Sequence, residues 1–403
     1  MKILMLAWRD MKHPKKGGAE IVTDIYLSKL AKLNHDVTLF TASYSNAEKE
    51  ETYNNYKIIR KGNSITVSMH GLRYAKKNEK NFDIIIDQIN TIPFFTPLFI
   101  KKQKRIAFFH QLCKNIWFYE KSFPVSLIGY ALESLYLKLY ANTKAFTISK
   151  SSKQDLIKYA WINPSNILVL ENQIDFQPIS KPKEKANYLV FVGRLTTSKR
   201  VHDCIKALAL MQNISNVNNK DKLVSSKNKS QNNQQMPKLS DINITDKNQS
   251  VFDISKTKLV IIGNGNEKYK DYLKKLTSKL NLSNRVLFTG SIDSKKRNKI
   301  MQHALAILVT SVREGWGLIV TEANANGTIA ITYNTQGLVD ANTNQTGIIT
   351  KNNTPKELAK EINFIINNPK LRKQKEVKAL EFAREHSDWD KQARRLEEWI
   401  KNI

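Results

Sequence analysis

The sequence predicts an α/β protein of two domains, each a parallel sheet covered by helices. Three observations carry this reading. A chain of 403 residues is too long for one ordinary core and suits two. Short apolar strands alternate with helix-length amphipathic segments from the first residue, the pattern of βαβ units. A polar stretch from Pro178 to Lys183 interrupts that alternation before it restarts at "NYLVFVGRL", which is where a linker belongs. The expected organisation is therefore a domain at 1–183, a second at 184–385, and a C-terminal helix at 386–403 that crosses back onto the first.

In the first domain strands are expected near 2–7, 36–42, 56–61, 83–88, 105–110, 145–149 and 167–171. The helix at about 18–33 spaces Ile21, Val22, Ile25, Leu30 and Leu33 on one face, and Asn34 offers a left-handed cap. In the second domain strands near 187–192, 257–262, 285–290, 306–310 and 329–333 are separated by helices near 200–211, 267–280, 294–303 and 318–326. The chain from about 354 to its end reads as helical. Residues 213–256, for example "NKSQNNQQ", are too polar to bury themselves and read as a disordered surface insertion.

An apolar fraction of 41% suits packed cores and argues against global disorder. No apolar run is long enough to span a bilayer, and the apolar start after Met1-Lys2 ends at Trp8-Arg9-Asp10 with no small-residue cleavage site. It reads as a first strand, and the protein is expected in the cytoplasm. Cys113 and Cys204 stand far apart, which supports neither a disulfide framework nor a zinc site. The net charge of +29 is compatible with nucleic acid, anionic membrane, an anionic substrate or a Lys-rich solvated surface. Both halves share the excess, and no recognition helix, aromatic RNA-binding strand or zinc spacing supports nucleic acid, which is not an expected partner.

Gly17 and Gly18 lie between the first strand and first helix. There glycine permits close backbone approach and a helix start favours an anionic oxygen, although a plain turn has the same appearance. "FVGRLTTSKR" puts Arg194 and Lys199 just past a strand, where two cations can hold a diphosphate or simply face solvent. "REGWGLIVTEANANGT" brackets a glycine turn with Glu314 and Glu322. The backbone N–H groups of Leu318 and Ile319 would face a diphosphate from the helix start. Glu322 could accept from ribose hydroxyls and Glu314 could reach a sugar, while the helix dipole alone also favours such glutamates. "DIIIDQ" holds Asp83 and Asp87 in what reads as a buried strand with polar ends, not as a metal motif.

These segments, with "GGAE", "FHQLCKNIWFYE", "TISKSS", "IIGNGNE" and "FTGSI", resemble glycosyltransferase family 4, retaining enzymes of the GT-B fold. The resemblance spans nearly the whole chain outside 213–256. It implies two Rossmann-like domains facing each other across a cleft, a nucleoside-diphosphate sugar as donor, and transfer of a hexosyl group to a hydroxyl of a glycan or lipid-linked glycan. No cofactor or metal is expected, because cationic side chains and helix starts already oppose the diphosphate charge. It also implies that Arg194 and Lys199 bind the donor diphosphate, Glu322 the ribose and Glu314 the transferred sugar. Gly263 and the backbone around Ser291 and Ile292 would border the base, and His110 would hydrogen-bond the donor sugar. Ile329 stands where the family has proline, and Gln173 where it has glycine.

On the acceptor side, Trp117, Phe118 and Tyr119 precede a helix with Leu127, Ile128, Leu132, Leu135 and Leu139. Two readings stay open: a core helix, or a lipid-facing entrance helped by a basic patch of Lys101, Lys102, Lys104 and Arg105. The second implies weak, salt-sensitive contact with anionic membrane. A nucleic-acid-binding protein, a phosphorylase or a sugar-nucleotide epimerase on the same fold are the alternatives to transfer.

Overall fold

A computed structural model describes residues 1–218 and 252–403, which form two compact α/β units. The first comprises Met1–Asp175, Glu314–Leu318 and Asp388–Ile403, and the second Phe176–Arg313 and Ile319–Ser387. The segment 176–183 thus groups with the second unit. Most of the expected insertion at 213–256 lies outside the described residues.

The first unit is built on β1 (Lys2–Leu6), β2 (Asp36–Thr41), β3 (Glu50–Tyr53), β4 (Tyr56–Arg60), β5 (Ile84–Ile89), β6 (Arg105–Phe109), β7 (Lys144–Thr147) and β8 (Ile167–Val169). Their order is β3-β4-β2-β1-β5-β6-β7-β8. Every pairing is parallel except β3 with β4. The inner strands are apolar on both faces, as a parallel sheet covered by helices requires, and Ile3, Leu4, Ile85, Ile86, Phe108 and Phe146 are fully buried. Strand β3 was not expected. It turns into β4 through Asn54 and Asn55, both left-handed (φ 46° and 68°), the hairpin geometry Asn tolerates best.

Helix α1 (Gly18–Lys32) covers this sheet and ends at Asn34 in the left-handed conformation (φ 62°). The first unit continues with α2 (Val67–Asn78), α3 (Ile116–Glu120), α4 (Val125–Lys138) and α5 (Lys150–Ala160). Gln173 accepts from Asp388 N–H at 3.1 Å through its side-chain oxygen and donates to the Glu171 carbonyl at 2.8 Å. An amide thus does structural work that glycine could not.

The second unit contains β9 (Tyr188–Val192), β10 (Lys258–Ile262), β11 (Val286–Gly290), β12 (Ala306–Val309), β13 (Ala330–Thr332) and β14 (Ile348–Ile349). Their order is β11-β10-β9-β12-β13-β14, all parallel. The helices are α6 (Val201–Asn218), α7 (Glu267–Lys279), α8 (Ser294–His303), α9 (Leu318–Ala325), α10 (Leu338–Ala341), α11 (Pro355–Asn367) and α12 (Pro369–Glu385). Helix α6 runs past residue 211 into the stretch expected as insertion. Ile329, in the family's proline position, is fully buried in this core beside Leu308 and Ile331.

The last helix, α13 (Trp389–Lys401), returns the chain to the first unit. It buries Trp389, Ala393, Leu396 and Ile400. Trp389 packs edge-on to Tyr26 of α1 at 5.4 Å, and Asp390 and Glu397 pair with Lys29 (2.7 Å) and His35 (2.9 Å).

Candidate functional site

In each sheet the chain order reverses once. In the second unit β9, β10 and β11 run outward in one direction and β12, β13 and β14 in the other, so the switch lies between β9 and β12. Ligands of open α/β sheets bind outside the carboxyl ends of strands at such a switch. Arg194 and Lys199 follow the carboxyl end of β9, Gly263 that of β10, Ser291 and Ile292 that of β11, and the 310–317 loop that of β12. Four neighbouring strands therefore deliver the predicted donor-binding residues of this unit to one edge.

The loops on that edge are interlocked. Leu195 N–H donates to the Asn264 carbonyl (2.9 Å) and Gly263 N–H to the Gly290 carbonyl (2.9 Å). The Asn264 side-chain amide reaches Ser291 Oγ at 3.2 Å. Gly263 has φ +136°, and a Cβ there would lie 2.0 Å from the Gly193 carbonyl oxygen, so no other residue fits. On the opposite side of β9, Val312 N–H donates to the Ser198 carbonyl at 2.9 Å and Thr310 Oγ to the Lys199 carbonyl at 2.8 Å. Arg194 is exposed and Lys199 half-buried, positions from which cations can meet an anion without first being desolvated.

The loop carrying these cations is held by a cluster that the sequence did not reveal. Arg200, left-handed at φ 50°, pairs with Asp203 at 2.6 Å and donates to the Asn353 carbonyl at 3.0 Å. Asp203 is 3% exposed and also accepts from Tyr333 Oη at 2.8 Å. Burial, then the Asp203 charge, holds the Tyr333 hydroxyl protonated far above its usual range.

Glu322 lies in the second turn of α9 and pairs with Arg297 of α8 at 2.9 Å. The guanidinium offsets the charge of a carboxylate on a helix whose start is proposed to face a diphosphate. Arg297 is a second residue the sequence reading missed, because "SKKRNK" looks like any solvated face. Leu318 and Ile319 open α9.

In the first unit, His110 ends β6 and is 4% exposed. Burial holds its imidazole down to about 3, so it is neutral at ordinary pH. Gln88 Nε2 lies 2.9 Å from His110 Nε2 and also contacts Thr23 Oγ. Thr23 Oγ donates to the Ala19 carbonyl at 2.8 Å, so it must accept from the Gln88 amide. That fixes the amide orientation, makes His110 Nε2 an acceptor and leaves the proton on Nδ1.

Gly315, next to Glu314, lies against His110: a Cβ on it would stand 2.3 Å from the His110 carbonyl oxygen. A Cβ on Gly18 would meet Leu318 Cδ1 at 3.3 Å. His110, Glu314 and Gly18 thus belong to one neighbourhood of the first unit. Gly17 contributes differently, because its N–H is taken by Glu20 Oε2 at 2.6 Å, the half of a capping box that a glycine N-cap can make.

Asp83 and Asp87 are structural, as the strand reading had them. Asp83 accepts from Lys2 N–H at 2.7 Å. Asp87, fully buried, accepts from Phe94 N–H, Thr96 N–H, Thr96 Oγ and Tyr140 Oη. Among the described residues no group of three or more His, Cys, Asp or Glu side chains is placed to hold a metal ion. The basic patch expected at 101–105 does not form as such. Lys104 Nζ donates to the Glu79 and Phe82 carbonyls and Arg105 to Thr143, Pro97 and Ile100, because each lies where a loop needs its carbonyls satisfied. Lys101 and Lys102 alone stay exposed.

Known proteins bear on this architecture in both halves. Residues 16–177 match the model of "Glycosyltransferase Family 4" and residues 242–382 that of "Glycosyl transferases group 1". An uncharacterized glycosyltransferase of Methanocaldococcus jannaschii is 24% identical over 375 residues, covering 84% of this chain and 82% of its own. Among solved structures, sucrose-phosphate synthase of Thermosynechococcus elongatus superposes with a TM-score of 0.73 at 15% identity, covering 100% of this chain and 98% of its own. WaaG, a glycosyltransferase involved in lipopolysaccharide biosynthesis, gives 0.69 at 16% identity and 99% of both chains. HepE of Anabaena, in a complex with UDP and glucose, gives 0.67 at 15% identity and 100% of both. With two parallel-sheet units, both halves matched by glycosyltransferase models and these neighbours in fold, the chain belongs to glycosyltransferase family 4 and has the GT-B fold.

Proposed function

We propose that this enzyme moves a hexosyl group from a nucleoside-diphosphate sugar to a hydroxyl of a glycan or lipid-linked glycan in the cytoplasm, with retention of configuration and without a metal. The observation that carries the proposal is the placement of Arg194, Lys199, Gly263 and Ser291 beyond the carboxyl ends of adjacent strands at the switch of the second sheet. That HepE crystallised with UDP and glucose supports the donor class.

In this account the bond from the sugar's anomeric carbon to the diphosphate oxygen breaks, and the acceptor oxygen bonds to the same face. The departing phosphate oxygen takes the acceptor's proton, so no protein nucleophile is needed. Arg194, Lys199 and the start of α9 stabilise the charge that grows on the leaving diphosphate, a preorganised electrostatic contribution. Neutral His110, with its proton on Nδ1, is a hydrogen-bond donor to the sugar rather than an acid. Glu322, held by Arg297, receives the ribose hydroxyls, and Glu314 the transferred sugar.

A thermal-shift panel of UDP-, GDP- and ADP-sugars tests the donor class. A donor at about one hundred times its Kd stabilises the protein by about 2.7 kcal/mol, several degrees in Tm, with or without EDTA. No shift with any nucleotide sugar, or activity lost to EDTA, refutes the corresponding part. The nucleic-acid reading is not favoured, since family and fold account for both halves of the chain.

A further inference from the structure

Helix α4 is apolar on both sides, and only one side is used by the core. Its inner face is fully engaged. Gly129 gives room to the Trp117 ring, and Glu133, 1% exposed, accepts from the Cys113 and Lys114 N–H groups at 2.7 Å each. Tyr136 and Leu137 are buried in the hydrophobic cluster around Phe109 and Tyr140. The outer face has Val125, Ile128, Leu132, Leu135 and Leu139 at three- and four-residue spacing, and Ile128, Leu132 and Leu135 are 54%, 54% and 63% exposed. An outward helix face in a soluble protein is normally polar.

Aromatic side chains flank this stripe. Phe118, 51% exposed, packs on Tyr130 of α4 at 5.5 Å, and Phe123 just before the helix is 79% exposed. At the other end Lys138 lies 4.5 Å over the ring of Trp161, itself 60% exposed. Exposed charge along this stretch is mostly positive, with Glu120 next to the aromatic Phe118–Tyr119 pair as the exception. Between Lys121 and Asn163 the only acidic residues are Glu133 and Asp155, and both are buried, whereas Lys121, Lys138, Lys150 and Lys158 are exposed.

We infer that the outer face of α4, with Phe118, Phe123 and Trp161, docks on an anionic lipid bilayer. The 14 residues of α4 reach about 21 Å at 1.5 Å per residue, short of the roughly 30 Å hydrocarbon core. The helix therefore lies in the interface plane, its leucines in the acyl boundary and its lysines at the headgroups. A protein partner would have to match an apolar stripe whose exposed charges are lysines except for Glu120 beside Phe118. A bilayer with acidic headgroups does so without further design. On the inner face, Glu133 ties the same helix to the loop that follows His110.

Co-sedimentation of the full chain with phosphatidylcholine vesicles, with and without phosphatidylglycerol, tests this without donor or acceptor, so its outcome is independent of the proposed transfer. The wild type is expected to bind the phosphatidylglycerol vesicles and to be released by high salt. Ile128→Ser/Leu132→Ser, which removes exposed groups and leaves Tm unchanged, lowers partitioning about tenfold or more. Lys121→Gln and Lys138→Gln each lower it about fivefold. Absence of binding, or binding that ignores both lipid charge and the double variant, overturns the inference. So does a dimer, seen by sedimentation velocity, that the double variant dissociates while no vesicles are bound, since the face would then belong to a second copy.

Discussion

Replacing Gln88 by Leu separates what holds His110 from what His110 does. In the wild type the Gln88 amide serves two acceptors, His110 Nε2 at 2.9 Å and Thr23 Oγ, and His110 is 4% exposed. Leucine leaves the imidazole lone pair buried without a donor, which costs about 1–3 kcal/mol. The tautomeric preference is lost as well. With no donor at Nε2 the two neutral tautomers approach equal population, so about half the molecules keep the proton on Nδ1, and turnover falls only about twofold. His110→Ala removes the donor from every molecule and has the larger effect on rate. Denaturant unfolding, steady-state transfer and ¹⁵N chemical shifts of the imidazole read the three quantities. A wild-type spectrum with the proton on Nε2, or a Gln88→Leu enzyme as slow as His110→Ala, refutes the reasoning.

Acid should reveal the same histidine. Its folded pKa of about 3, against 6.5 ordinarily, means that the unfolded chain binds more protons between those values. Stability is therefore lost as pH falls through that window, by at most about 1.4 kcal/mol per pH unit, and His110→Asn should flatten that part of the curve in chemical denaturation. Arg297→Ala removes the 2.9 Å ion pair of Glu322 and with it the cation that this pair holds against the carboxylate. The donor KM is expected to rise about fivefold with kcat nearly unchanged, the signature of lost uniform binding; a fall in kcat alone contradicts this role.

Strands and helices with strong local periodicity were legible in the sequence: α8 falls at 294–303 as expected, and the left-handed Asn34 was readable from its place after an apolar face. Strand β3 was missed because "EETY" has a polar edge pattern, although "NN" between two tyrosines is a hairpin signal. The two-residue β14 has no pattern of its own. At the candidate site the loop cations and strand-end glycines could be read locally, but their supports could not. Asp203 and Tyr333 are 130 residues apart, as are Gln88 and Thr23 by 65, and only the sheet order brings such partners together. For α4 the apolar spacing was plain, yet periodicity does not say which face a neighbour covers.

The central claim is that Arg194 and Lys199 stabilise the departing diphosphate. It is tested most directly by kcat for nucleoside-diphosphate release in Arg194→Ala and Lys199→Ala, using whichever donor the thermal panel selects. The account predicts a loss of about 10²–10³ in each, with Tm preserved and donor binding still measurable. Folded variants that turn over near the wild-type rate would contradict it.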